Sequence, residues 1–235
     1  MKSEYLLRIV LLAPFIGLIT VAGCTKQAAI TEIMVDSLSR SFLALGDSYT
    51  IGESVATQER FPAQTVTLLK SHGANVAEPQ YIARTGWTTT DLQNAINKTN
   101  LKPKYDLVSL LIGVNDQYQG LDTAGYRKRF TQLLERAIQL AGNDKTHVFV
   151  LSIPDYSVTP FGGASDKIKN EIDAFNNINK QVTVDYKVNY IDITPVSREA
   201  ANDQSLTAND GLHPSGKQYL RWASLLEAAM LPVAK

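Results

Sequence analysis

Ser48 is the residue around which any chemistry in this chain would be built. The stretch Phe42-Leu43-Ala44-Leu45 runs straight into Gly46-Asp47-Ser48. Four apolar residues in a row predict a strand buried on both faces. The serine then lies just past the carboxyl end of that strand, where open α/β sheets bind ligands. A serine hydroxyl is a weak nucleophile unless a base takes its proton and donors stabilise the oxyanion. Taken alone, Gly-Asp-Ser is also ordinary turn and capping chemistry. The residues that could give it company are Gly86, Asn115 in Gly113-Val114-Asn115-Asp116, and the pair Asp210 with His213.

The elements that must carry these residues can be read from periodicity. After the first strand, Phe61 to Lys70 has a helical pattern that closes near Gly73. A short strand is expected at Gln80 to Ala83, and a Thr/Asp cluster from Thr88 opens the next helix. Asp106 to Ile112 is a second buried strand. Tyr126, Phe130, Leu133, Leu134, Ala137 and Ile138 stripe a helix that Asp122 or Thr123 can cap and Gly142 can end. Val148 to Leu151 is the fourth strand, with a Pro- and Gly-rich loop from Pro154 to Ala164. Ile168 to Val182 stripes another helix, Val188 to Ile191 is the fifth strand, and a loop from Thr194 leads to Asp210. The last helix packs Tyr219, Trp222, Leu226 and Met230, with Pro214 suited to its first turn. Strands alternating with helices predict one parallel sheet covered on both faces.

With Ser48, Gly86, Asn115 and the Asp210/His213 pair all in loops after strands, the sequence resembles the SGNH hydrolases, also called GDSL-type esterases and lipases. The four blocks occur in that family's order: Gly46-Asp47-Ser48, Gly86, Gly113-x-Asn115-Asp116 and Asp210-x-x-His213. Tyr49 stands where the family has leucine. The resemblance implies a three-layer α/β/α, flavodoxin-like fold with strand order 2-1-3-4-5, over residues 41–235. It implies Ser48 as nucleophile, His213 as base and Asp210 as its orienting carboxylate. It also implies an oxyanion hole made by the Ser48 and Gly86 backbone N–H groups and the Asn115 amide, and no metal or organic cofactor. Glycine at 86 would let the backbone approach a substrate closely. Asp47 and Asp116 are expected to brace loops, and His72 and His147 to be structural. Tyr49, Trp87 and Tyr118 flank the blocks and suit either the pocket wall or packing.

The chain has 235 residues, with 23 basic and 23 acidic side chains. A balanced charge offers no electrostatic footprint for nucleic acid. The start reads as a leader: Lys2 and Arg8 precede an uncharged apolar run from Ile9 to Ala22, too short to span a bilayer comfortably. It ends in Val21-Ala22-Gly23-Cys24, which resembles a bacterial lipobox. That resemblance implies a signal peptide over 1–23, lipid on Cys24, a tether over 24–40 and export as a lipoprotein that is outer-membrane anchored or periplasmic, with Thr25 leaning toward the outer membrane. The alternative is an ordinary secretory leader with a stray cysteine. Cys24 is the only cysteine, so no disulfide can form within the chain.

For function, the blocks point to a serine esterase. The loops around Ser48 read as polar or Gly-rich, and no stretch is long enough for a lid domain. A short acyl group, such as acetyl on a carbohydrate, is therefore the expected substrate. A lysophospholipase or thioesterase uses the same machinery on longer chains, and a non-catalytic binding module could keep the fold. A phosphate-binding flavodoxin-like domain fits less well, because no Gly-rich phosphate loop follows the first strand.

Overall fold

A computed structural model describes residues 39–235. The leader, Cys24 and nearly all of the expected tether lie outside the described residues.

Five parallel strands form one sheet: β1 (Phe42–Gly46), β2 (Gln80–Ala83), β3 (Leu107–Leu111), β4 (Val148–Leu151) and β5 (Asn189–Ile191). Their spatial order is β2-β1-β3-β4-β5, as the family resemblance implies. Every residue of β1, β3 and β4 is buried, whereas β2 and β5 are partly exposed. This follows from the order, since the two strands with weaker apolar runs take the edges.

Among the described residues, eight α-helices accompany the strands: α1 (Ser48–Ile51), α2 (Phe61–Ser71), α3 (Thr89–Lys98), α4 (Val114–Tyr118), α5 (Thr123–Leu140), α6 (Asp166–Asp185), α7 (Thr194–Arg198) and α8 (Gly216–Ala234). Helices α2 and α8 pack on each other as one layer, and α3, α5 and α6 form the other. The caps are local chemistry. Thr88 and Asp91 form a capping box at α3, and Asp122 caps α5 by accepting the Gly125 N–H at 2.7 Å.

Two readings change. Pro214 does not open α8; Ser215 is its N-cap, because its hydroxyl can accept the Gln218 N–H. Pro214 instead pairs with Thr207 in an isolated antiparallel bridge. The stretch from Thr194 is not a plain loop either, since it contains α7 and two short 3-10 turns. At four or five residues, α1, α4 and α7 are too short to show a helical period.

The register positions the site. Gly46 pairs with Ala83 on one side and Leu111 on the other. The carboxyl ends of β2, β1 and β3 are therefore level. The chain leaves β1 between neighbours reached in opposite directions, which is the switch point where such sheets open a crevice.

Candidate active site

Gly46 is required by sterics. A Cβ there would overlap the Thr50 hydroxyl and the Leu111 backbone carbonyl. The chain then turns, with Asp47 as the N-cap of α1, its Oδ1 accepting the Tyr49 N–H at 3.0 Å. This stands Ser48 at the first position of α1, only 5% exposed. Asp47 itself is fully buried and braces this turn, as expected of a loop carboxylate. Burial pushes its carboxyl up to about 8, with the Asp116 charge adding to the effect and the Tyr49 N–H opposing it.

His213 reaches the same point from the far end of the chain. Its Nε2 lies 3.0 Å from Ser48 Oγ, and its Nδ1 lies 2.6 Å from Asp210 Oδ2. The other carboxylate oxygen, Oδ1, accepts the backbone N–H groups of Leu212 and His213, each at 2.9 Å. Asp210 thus folds its own turn and orients the imidazole at once. Burial works against its charge, but the hydrogen bonds from Ser54, His213 and the two backbone amides outweigh that. The carboxyl is held well below the usual carboxylate range.

The remaining blocks close around Ser48. Gly86 has φ +80, a conformation that L side chains rarely adopt, and a Cβ there would meet nothing within 4 Å. Glycine is thus needed for its backbone angle rather than to relieve crowding. Among the described residues, the Ser48 and Gly86 N–H groups make no hydrogen bond. The Asn115 Nδ2 donates to the Trp87 carbonyl at 3.0 Å, which orients the amide and leaves its second N–H available. Asp116, fully buried, accepts the Thr89 N–H at 2.8 Å and the Thr89 hydroxyl at 2.6 Å, and pairs with Arg129 at 3.0 Å.

Ser48, Gly86, Asn115 and His213 line one cleft of about 200 Å³. Asp210 stands behind His213 and does not line it. Of the flanking aromatics, Tyr49 and Tyr118 line the cleft, while Trp87 packs against the core. The Tyr49 ring sits 5.3 Å from the His213 ring, centroid to centroid. The expectation of polar surroundings is incomplete. Val114, Tyr118, Tyr156, Phe161 and Leu212 give the cleft an apolar wall. Tyr118 is 61% and Phe161 53% exposed, with ring centroids 6.2 Å apart. No local pattern marks Tyr156 or Leu212 as wall residues, and at Phe161 the signal is an aromatic inside a Pro/Gly-rich loop. His72 caps the end of α2 and bonds Glu227 at 2.8 Å, and His147 bonds the Asp106 carbonyl just before β4. Both are structural.

The family model for GDSL-like lipases and acylhydrolases matches residues 44–221. The chain belongs to that family. The match spans every block described above, from β1 into α8. No curated protein matches the chain significantly. Among solved structures, a lipase from a goat rumen metagenome superposes with a TM-score of 0.68 at 21% identity, covering 81% of this chain and 97% of that one. The lipase/acylhydrolase of Enterococcus faecalis gives 0.65 at 20% identity, covering 82% and 96%. A mutant acetyl-xylooligosaccharide esterase from Geobacillus gives 0.62 at 19% identity, covering 83% and 94%. At these identities the likeness is one of fold: this GDSL-like chain shares their five-stranded α/β/α architecture.

Proposed function

We propose that this GDSL-like protein is a carboxylic ester hydrolase with Ser48 as nucleophile. The observation that carries the reading is the continuous relay from Asp210 through His213 to Ser48, at 2.6 and 3.0 Å. Ser48 Oγ attacks the acyl carbon as His213 Nε2 takes its proton. Asp210 holds the imidazole tautomer and stabilises the imidazolium. The oxyanion is met by the unengaged N–H groups of Ser48 and Gly86 and the second N–H of Asn115. His213 then returns the proton to the leaving alcohol. A water, deprotonated by the same nitrogen, releases the acid and restores Ser48.

The substrate we favour carries a short acyl group, with acetyl on a carbohydrate as the leading case. A cleft of about 200 Å³ suits a small group. The exposed Tyr118 and Phe161 rings offer faces on which a sugar can stack. One neighbour in fold bears the name of an acetyl-xylooligosaccharide esterase. The same aromatic wall favours a second reading, a lysophospholipase or thioesterase for longer chains. Each buried CH₂ adds about 0.8 kcal/mol where the wall covers it. The deciding assay uses esters of one alcohol with acetyl, butyryl, octanoyl and palmitoyl groups, then acetylated sugars. We expect kcat/KM to peak at the short end and Ser48→Ala to lose roughly 10⁶ in kcat. A steady climb toward palmitoyl would replace the short-acyl reading, and a folded, active Ser48→Ala protein would end the mechanism.

We also propose export as a lipoprotein anchored through Cys24, in the outer membrane or the periplasm. The support is the charged start, apolar run and Val21-Ala22-Gly23-Cys24. Cells fed labelled palmitate should yield a labelled protein, and Cys24→Ser should remove the label. A mature chain beginning anywhere but at residue 24 would contradict this.

A further inference from the structure

The turn after α1 holds a residue in a backbone region unsuited to its type. Ser54 has φ +66, close to the φ +64 of Gly52 two positions earlier. Glycine occupies this left-handed region freely, whereas a serine pays for its Cβ there. Ser54 is exposed, so core packing does not explain the choice. Its hydroxyl does. Ser54 Oγ donates to Asp210 Oδ2 at 2.6 Å, across 156 positions of sequence. That oxygen is the one facing His213 Nδ1, also at 2.6 Å. Oδ1 is occupied by the backbone amides of Leu212 and His213. Among the described residues, Ser54 is thus the one partner of the carboxylate from outside the Asp210–His213 turn. The adjacent Glu53 accepts the Thr85 hydroxyl, so the same turn is tied to the loop that carries Gly86.

We propose that Ser54 is a positioning residue: its hydroxyl, presented by a strained left-handed turn, fixes the Asp210 carboxylate relative to the helix that bears Ser48. This rests on the hydrolytic reading of Ser48, His213 and Asp210 given above. Two physical consequences follow. Without the hydroxyl, Asp210 is oriented by its own short turn alone, so the imidazole samples more orientations and kcat falls. The freed lone pair also leaves more negative charge facing His213, which favours the imidazolium. Activity should then need a higher pH to develop. The other ionisable groups around the pair are Tyr49, Tyr156 and Tyr219, with the carboxyl groups of Asp47, Glu53 and Asp155. A change at Ser54 leaves all of them chemically intact.

The test measures kcat and kcat/KM against pH for the unmodified protein, Ser54→Ala and Ser54→Gly on an acetyl ester, with Tm for each and Ser48→Ala alongside. Alanine keeps the strained backbone and loses the hydroxyl; glycine loses both. We expect both variants to lose about tenfold in kcat, the scale of one hydrogen bond to a charged group. Both should move the acid limb of the profile upward, while Ser54→Gly matches or exceeds the unmodified Tm. Unchanged kcat and acid limb in both variants would overturn the proposal. So would full activity in Ser54→Gly with loss only in Ser54→Ala, since the backbone alone would then matter. An active Ser48→Ala would instead defeat the hydrolytic reading, so the two failures are distinguishable.

Discussion

The Asp116 carboxylate accepts both the backbone N–H and the hydroxyl of Thr89, at 2.8 and 2.6 Å. Asp116 follows Asn115 on α4, and Thr89 opens α3 just beyond Gly86. One buried carboxylate therefore holds two separate sequence blocks in register. Arg129 of α5 completes the cluster, donating to Asp116 and, through Nε, to Thr89 Oγ1 at 2.9 Å. On the proposed mechanism the Gly86 N–H and the Asn115 amide meet one oxyanion, and such a clamp would hold them there, because small misplacements cost rate steeply.

Asp116→Ala should therefore damage both stability and rate. Removing Asp116 leaves the Thr89 N–H and hydroxyl without their buried acceptor and Arg129, a quarter exposed, without its partner, at a cost of about 1–3 kcal/mol. Loss of register between Gly86 and Asn115 should lower kcat by roughly 10²-fold, as for one missing oxyanion donor. Urea denaturation and steady-state kinetics check both. A stable variant with unchanged kcat would show that the clamp does not support the site.

Asn115→Ala should act on rate alone. Asn115 is only partly buried, and its bond to the Trp87 carbonyl is a single contact. We expect kcat to fall roughly 10²–10³-fold with little change in KM. A rise in KM with kcat intact would assign Asn115 to substrate binding instead of the transition state.

Asp47 makes a prediction about stability and pH. Its folded carboxyl is raised to about 8, so the native state keeps a proton that the unfolded chain releases above about 4. Folded protein binds more protons in this window, and stability falls as pH rises through it. The slope is at most about 1.4 kcal/mol per pH unit. Asp47→Asn keeps a neutral side chain with an acceptor for the Tyr49 N–H and removes the slope. Denaturation at pH 5 to 9 should show the variant gaining on the unmodified protein as pH rises. Parallel curves would show that Asp47 is ionised across this range.

Much of this protein is legible in one dimension. The apolar runs at Phe42–Leu45, Leu107–Leu111 and Val148–Leu151 specify buried strands, because only a central strand buries both faces. The stripe from Tyr126 to Ile138 specifies a helix, since it follows a helical period. The four blocks specify the family by their residue types and order, and the first and third lie just beyond such strands. What the tertiary structure decided are relationships between residues far apart in sequence. Tyr118 and Phe161 meet in one wall only when α4 and the loop after β4 face each other. Ser54 meets Asp210 only once the first and last blocks converge at the crevice. Sequence periodicity reports which face of an element is buried. It carries no information on which exposed or turn residues share a cleft, because those contacts depend on sheet order and register rather than on any local pattern.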